Sequence, residues 1–249
     1  MQQANIPQRD LDGSKRAKIQ LEGLYLEHGL DGNGMHNICQ KTTWDASADA
    51  KAARASIGQM PAHIEERVDK ACGVIAEAVK RKGRKDGRCL DVGCGHGALI
   101  PNFIKAGMYP NQITGVDLST EMIRNAQESY RGVDFVAADF LEFSPEEGYD
   151  GIILCSALHD LPDMYGSLAN AASLLRDDGK LVLVHAQGAM HVVGQNKANP
   201  VLVKRALFNS KELKVIAEEL NLVLDHEPAE AGSEVDEKEG YLAILTKVD

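Results

Sequence analysis

Residues 90–97 read LDVGCGHG, with Gly93, Gly95 and Gly97 at alternate positions behind the acid Asp91. Glycine alone combines ready access to positive φ with the absence of a Cβ, so such a run can admit a ligand against the backbone itself. Two further acids stand in comparable places, Asp117 in ITGVDLS and Asp139 in AADF. A carboxylate has enough lone pairs to accept both hydroxyls of a ribose, and a second can accept from the exocyclic amine of a base. Further along, ALHDLPD carries His159 and Asp160, and VHAQGAMH carries His185, Gln187 and His191. A histidine of ordinary pKa suits proton removal from a hydroxyl, and its neighbours suit hydrogen bonding to a substrate. These residues suggest a nucleoside-type ligand held beside a pocket that can take up a proton.

Such groups converge only if strand ends carry them. From about residue 88, short apolar runs alternate with helical segments: strands near CLDV, ITGVD, DFVAA, DGIILC, KLVLVH, LVLD and YLAILTK, and helices starting near Gly97, Ser119, Pro162 and Ser210. The helix from Ser119 is expected to bury Met122, Ile123 and Ala126, and that from Ser210 to place Leu213, Ile216, Ala217 and Leu220 on one face. Ahead of them, Ile64, Val68, Ala71, Ile75 and Val79 recur at helical spacing behind Pro61, and the basic run KRKGRK reads as the solvated end of that helix. The alternation predicts an α/β fold, a doubly wound, mostly parallel sheet covered on both faces. Ligands bind such sheets at the carboxyl ends of the strands, where the glycines and acids lie. No helix is expected between the last two strands. The loop HEPAEAGSEVDEKEG should join them as a hairpin, making one strand antiparallel.

Residues 1–60 show no sustained periodicity, although SKRAKIQLEGLYLEHGL has room for one short helix. They read as an arm or lid ahead of a principal domain at 61–249. Trp44, in KTTWDAS, belongs either in the core or over the substrate pocket. The 44% hydrophobic content of 249 residues suffices for one large core, while a formal charge of -10 argues against nucleic acid as a partner. Five cysteines without metal-type spacing read as reduced thiols, and no metal is expected, since His159, Asp160, His185 and His191 follow no known ligand spacing. The longest apolar run, GIILCSAL, is too short to cross a bilayer. The expectation is a soluble protein of the cytoplasm or an organelle interior with a small-molecule partner; its oligomeric state is left open.

Taken together, LDVGCGHG, GVDLS, AADF, YDGIILCSALHDLPD and LLRDDGKLVLV resemble, in order, five motifs of the class I S-adenosylmethionine-dependent methyltransferases. The resemblance covers about residues 60–249 and implies a seven-stranded sheet with a reversed last strand, with S-adenosyl-L-methionine as cofactor. It further implies that Gly93, Gly95 and Gly97 line the methionine and ribose portion, with Asp91 near the cofactor amino group. Asp117 with Leu118 would hold the ribose, Met122 would pack close by, and Ala138, Asp139 and Phe140 would flank adenine. Cys155 and Ser156 would pass beneath the methionine.

Two other readings remain at this point: an NAD-dependent oxidoreductase, whose turn is normally GxGxxG where this one is GxGxG, and a catalytically silent protein of the same fold. For a methyltransferase, the missing Asn/Asp-Pro-Pro-Tyr motif argues against adenine or glutamine as acceptor, and the lack of a proline before Cys155 argues against cytosine. A small molecule remains, with transfer to oxygen favoured and to nitrogen or sulfur possible. His159 or His185 would be the base, its rate rising through an ordinary histidine titration. Trp44, Ser156, Asp160, Gln187 and His191 would form the substrate pocket.

Overall fold

The computed structural model describes residues 32–57, 61–81 and 86–248. Strands β1 (Cys89–Val92), β2 (Ile113–Asp117), β3 (Asp134–Ala137), β4 (Tyr149–Cys155), β5 (Leu175–His185), β6 (Leu222–His226) and β7 (Tyr241–Lys247) form one sheet in the order β3-β2-β1-β4-β5-β7-β6. The first five pair in parallel, while β7 runs antiparallel to both β5 and β6. This is the mostly parallel sheet with a reversed last strand that the alternation and the terminal hairpin predict.

The strands bury both faces, and their side chains divide between them with period two. Leu90, Val92, Ile152, Leu154, Leu181 and Leu183 face one apolar layer. It is completed by α5 (Met164–Leu174) and α7 (Ser210–Glu219). Cys89, Ile153, Val182 and Val184 face the other, against α2 (Ala62–Val79), α3 (Ile100–Lys105) and α4 (Thr120–Ser129). Burial on α4 and α7 follows the apolar spacing: Met122, Ile123 and Ala126 on one, Leu213, Ile216 and Ala217 on the other. The chain leaves β1 toward β2 and β3 on one side and returns to β4 on the other. A crevice therefore opens between the diverging loops at the carboxyl ends of β1 and β4.

Three elements depart from the sequence reading. Residues 32–57, read as lacking periodicity, form a 26-residue helix, α1 (Gly32–Ile57). Its inward positions are His36, Gln40, Trp44 and Ala48, at four-residue spacing, and His36 and Gln40 are buried although polar. Apolar spacing misses a helix whose buried face is hydrogen-bonded. The short helix proposed within residues 14–30 lies outside the described residues.

The other two lie after β5. Helix α6 (Ala189–Ala198) follows it directly, and a six-residue helix, α8 (Glu234–Glu239), interrupts the hairpin loop where no helix was expected. The sequence of α8, EVDEKE, has almost no apolar side chain. Ser233 caps it, accepting from Asp236 N at 3.1 Å, and three acids in its first turn suit the helix dipole. Arg67 of α2 donates to the carbonyls of Ala186, Glu237 and Lys238, tying α8 to the end of β5.

Asp236 in turn is 2% exposed and accepts from Ala189 N at 2.7 Å, Met190 N at 3.2 Å and Gly232 N at 3.1 Å, so α8 caps α6. Asp236→Ala strips acceptors from buried donors and should lower stability by about 2 kcal/mol or more. Urea denaturation tests this; an unchanged midpoint would mean that water replaces the cap at no cost.

Candidate functional site

The turn after β1 is held down on β2, with Gly93 N and Cys94 N donating to Val116 O at 2.8 and 3.1 Å. All three glycines have positive φ, but for different reasons. A Cβ on Gly93 would stand 2.5 Å from the Ala157 Cβ, and one on Gly97 would stand 2.8 Å from the Tyr130 ring. A Cβ on Gly95 meets nothing closer than Met122 Sδ at 4.0 Å. Gly95 thus has open space before it, whereas Gly97 is small to pack against Tyr130.

Asp117, at the end of β2, accepts from Gly95 N at 2.9 Å and from Ser119 N at 2.8 Å. One carboxylate therefore sets both the glycine turn and the start of α4. After β3, Asp139 accepts from Leu141 N at 3.0 Å and from Asn37 Nδ2 of α1 at 2.5 Å. After β4, Ser156 takes φ 53°, a left-handed conformation that costs a side-chain-bearing residue about 1 kcal/mol or more. Its N–H still reaches Val184 O at 2.8 Å.

These loops and α1 enclose a cavity of about 240 Å³. Among the residues expected to act, Gly93, Gly95, Asp117, Leu118, Met122, Ala138, Asp139, Phe140, Cys155, Ser156, Asp160 and Trp44 line it. Asn37, Gln40 and His96 line it too, without having been foreseen. Asn37, Gln40 and Trp44 fall at spacings of three and four, one stripe of α1, a signal legible only once a helix is assumed there. The charged lining residues are Asp117, Asp139 and Asp160, and no described lysine or arginine lines the cavity.

Six residues expected at the site lie elsewhere. Asp91 is buried behind the turn, and Gly97 packs on Tyr130. Gln187 and His191 are exposed between β5 and α6 and on α6. His159 and His185 border a separate crevice that shares only Ser156 and Ala157 with the cavity. Strand alternation explains His185, which shares the sheet face of Leu181 and Leu183, on the α5 side.

A family model described as a methyltransferase domain matches residues 63–227, about two-thirds of the chain. The chain belongs to the methyltransferase-domain family. The magnesium protoporphyrin IX methyltransferase of Synechocystis, crystallised with bound SAH, superposes with a TM-score of 0.57 at 16% identity, covering 85% of this chain and 99% of that one. That likeness is one of fold. Nodulation protein S of Azorhizobium caulinodans is 32% identical over 113 residues, covering 43% of this chain and 53% of its own. The trans-aconitate 2-methyltransferase of an Enterobacter species is 35% identical over 94 residues, covering 38% and 37%. The chain thus spans about half or less of the length of these two curated relatives. No helix among the described residues is long and apolar enough to cross a membrane.

Within this methyltransferase fold the titratable groups divide sharply. Burial, and secondarily the charge of Asp117, push Asp91 up to about 8, and its Oδ2 has no hydrogen-bond partner. Burial also pushes the Cys155 thiol up to about 12, which leaves it un-ionised. His159 meets His185 edge-on at 5.1 Å between ring centroids, and His185 stacks on His191 at 5.4 Å. Burial lowers His159 to about 4 and His185 to about 3, with neighbouring histidines adding to both shifts. Among the described residues no cluster of metal-ligating side chains forms.

The two lowered histidines stay neutral in the fold, while the unfolded chain protonates below pH 6.5. Stability should therefore be fully present above about pH 6.5 and fall as the pH drops toward 4. Asp91, raised from 3.8 to about 8, opposes this with the slope of a single group from about pH 4 to 8, so the histidine contribution dominates below pH 6.5 and stability declines gently between 6.5 and 8. His185→Phe keeps a ring against His159 and removes one titrating group. Urea unfolding at stepped pH should then show the slope below pH 6 reduced by about 1.4 kcal/mol per unit. An unaltered slope would refute the neutral, buried state of His185.

Proposed function

We propose that the protein transfers the methyl group of S-adenosylmethionine to a small-molecule acceptor. The observation that carries the reading is the convergence of the open Gly95 backbone, Asp117 and Asp139 in one cavity at the carboxyl ends of β1 to β3. The acid lining and the absence of described cations from it suit a positively charged cofactor. In this reading Asp117 accepts the ribose hydroxyls, Asp139 and Phe140 flank the adenine, and Cys155 and Ser156 underlie the methionine. Residues 61–249 form the catalytic domain, and α1, through Asn37, Gln40 and Trp44, covers it.

The cofactor, when bound, supplies an electrophilic methyl group on a sulfonium. The chain's task is to align the acceptor behind that methyl and to exclude water, which can supply most of the rate. A base of pKa near 4 drives proton removal poorly at neutral pH. The expectation of transfer to a hydroxyl, which rests on His159 or His185 as base, loses weight accordingly. The absence of described cations from the cavity lining likewise disfavours a carboxylate acceptor. An acceptor that presents a neutral lone pair, an amine nitrogen or a thioether, suits this site better.

Calorimetry with S-adenosylhomocysteine should show binding, with NAD as the negative control. Gly95→Val should abolish it, because the new side chain enters the cavity from a backbone of positive φ. His159→Gln should lower turnover less than about tenfold, with a flat pH profile between about 5 and 8 attributable to this residue. A loss of 10²-fold or more would restore the base role and transfer to oxygen. Binding of NAD with no binding of the homocysteine compound would overturn the cofactor assignment.

A further inference from the structure

Asp45 stands one residue past Trp44 on α1, outside the cavity lining, and makes an unusual set of contacts. Its Oδ1 accepts from Ser119 Oγ at 2.5 Å and from Glu121 N at 3.3 Å. Its Oδ2 pairs with Lys41 Nζ at 2.5 Å, and the same ammonium reaches Thr120 Oγ1 at 3.0 Å. Ser119 is fully buried, caps α4 through Met122 N at 3.1 Å, and donates its own N–H to Asp117. Asp117 holds Gly95 N. A continuous hydrogen-bonded chain thus runs from Lys41 and Asp45 on the covering helix, through Ser119, to the carboxylate and glycine that face the cavity.

The arrangement has a physical logic. Helix α4 begins with donors that lack intrahelical partners, and Ser119 satisfies only one of them. Asp45 satisfies a second, at Glu121, from a different element. When α1 is docked, the start of α4 is capped from both sides, Ser119 is fixed by four hydrogen-bonding atoms, and Asp117 has one geometry. When α1 lifts away, the Ser119 hydroxyl loses its acceptor, and nothing from that side constrains the Asp117 loop. Burial works against the charge of Asp45, yet the bonds from Lys41, Ser119 and Glu121 together hold it below the usual carboxylate range. It is therefore charged at neutral pH.

We infer that Asp45 is a positioning residue that couples docking of α1 to cofactor binding, by setting Asp117 through Ser119. The inference rests on the cofactor reading above. Coupling of this kind is reciprocal: if α1 docking preorganises the ribose acceptor, then a bound cofactor must favour docked α1 by the same factor. Two readouts follow that a merely structural carboxylate would not move, the non-additivity of two substitutions and the ligand dependence of α1 protection.

The experiment measures S-adenosylhomocysteine affinity by calorimetry for the full-length parent, Asp45→Ala, Asp117→Ala and the double variant, with amide exchange over residues 36–48 with and without ligand. Asp45→Ala should bind about five- to fiftyfold more weakly, and the double variant about as weakly as Asp117→Ala alone. Asp45→Asn keeps an acceptor oxygen for Ser119 and should recover affinity to within about threefold of the parent. Ligand should slow exchange in α1 of the parent and not in Asp45→Ala. Parental affinity in Asp45→Ala, or additive losses in the double variant, would overturn the coupling while leaving the cofactor reading intact. A parent that binds no S-adenosylhomocysteine would overturn both, and is recognised by the first measurement alone.

Discussion

The ligand cavity depends on one carboxylate. Asp117 ends β2, yet its two oxygens hold the backbone of the turn after β1, at Gly95, and the start of α4, at Ser119. Neighbouring parallel strands set their carboxyl ends side by side, but nothing in a strand ladder fixes the loops beyond it. An ionised acceptor does, since its bonds to backbone N–H groups are charge-assisted and lie near the positive end of a helix. The loops so fixed leave the backbone of Gly95 facing empty space, the condition for a ligand to approach it.

The same constraint brings two acids close together. Asp91 and Asp117 sit on adjacent strands with Gly115 between Cys94 and Phe135, and burial together with the charge of Asp117 raises Asp91 to about 8. Asp91 is thereby mostly protonated at neutral pH, and it is the acids lining the cavity, Asp117, Asp139 and Asp160, that suit a cation. The histidines one crevice away show the complementary behaviour, neutral because burial removes the water that would stabilise their charge. Asp117, Asp139 and Asp160 thus open onto the cavity, while His159 and His185 are set apart from it in a neighbouring crevice.

Helix α1 joins this arrangement through polar contacts as well as through the buried Met35 and Ala48. Asn37 bonds Asp139, His36 bonds the Asp160 carbonyl at 2.8 Å, Gln40 bonds the Leu202 carbonyl at 3.0 Å, and Asp45 bonds Ser119. Interfaces of this kind contribute less per contact than buried apolar area, because each bond replaces one to water. A cover attached in this way can open while leaving the two main apolar layers of the sheet intact, since neither Met35 nor Ala48 belongs to them, a property suited to elements that move during function.

The amino-acid sequence alone determined the sheet, its two apolar layers, and the placement of the glycines and the two acids at successive strand ends. These features are written locally: period-two and period-3.6 burial, a serine before Met122, and glycines where a strand turns. Three things were decided only by tertiary structure. Helix α1 is stabilised by partners more than 70 residues away, such as Ser119 and Asp139, and the polar His36 and Gln40 on its buried face break up the apolar spacing. Helix α8 is charged at every position but Val235, and it forms because Ser233 caps it and Arg67 from a distant helix binds its carbonyls. The histidines look like cavity residues in sequence because they follow strands four and five closely. Which sheet face each one takes, how deeply it is buried, and hence how weakly it binds a proton depend on register and on packing across the whole domain, and no spacing along the chain encodes those.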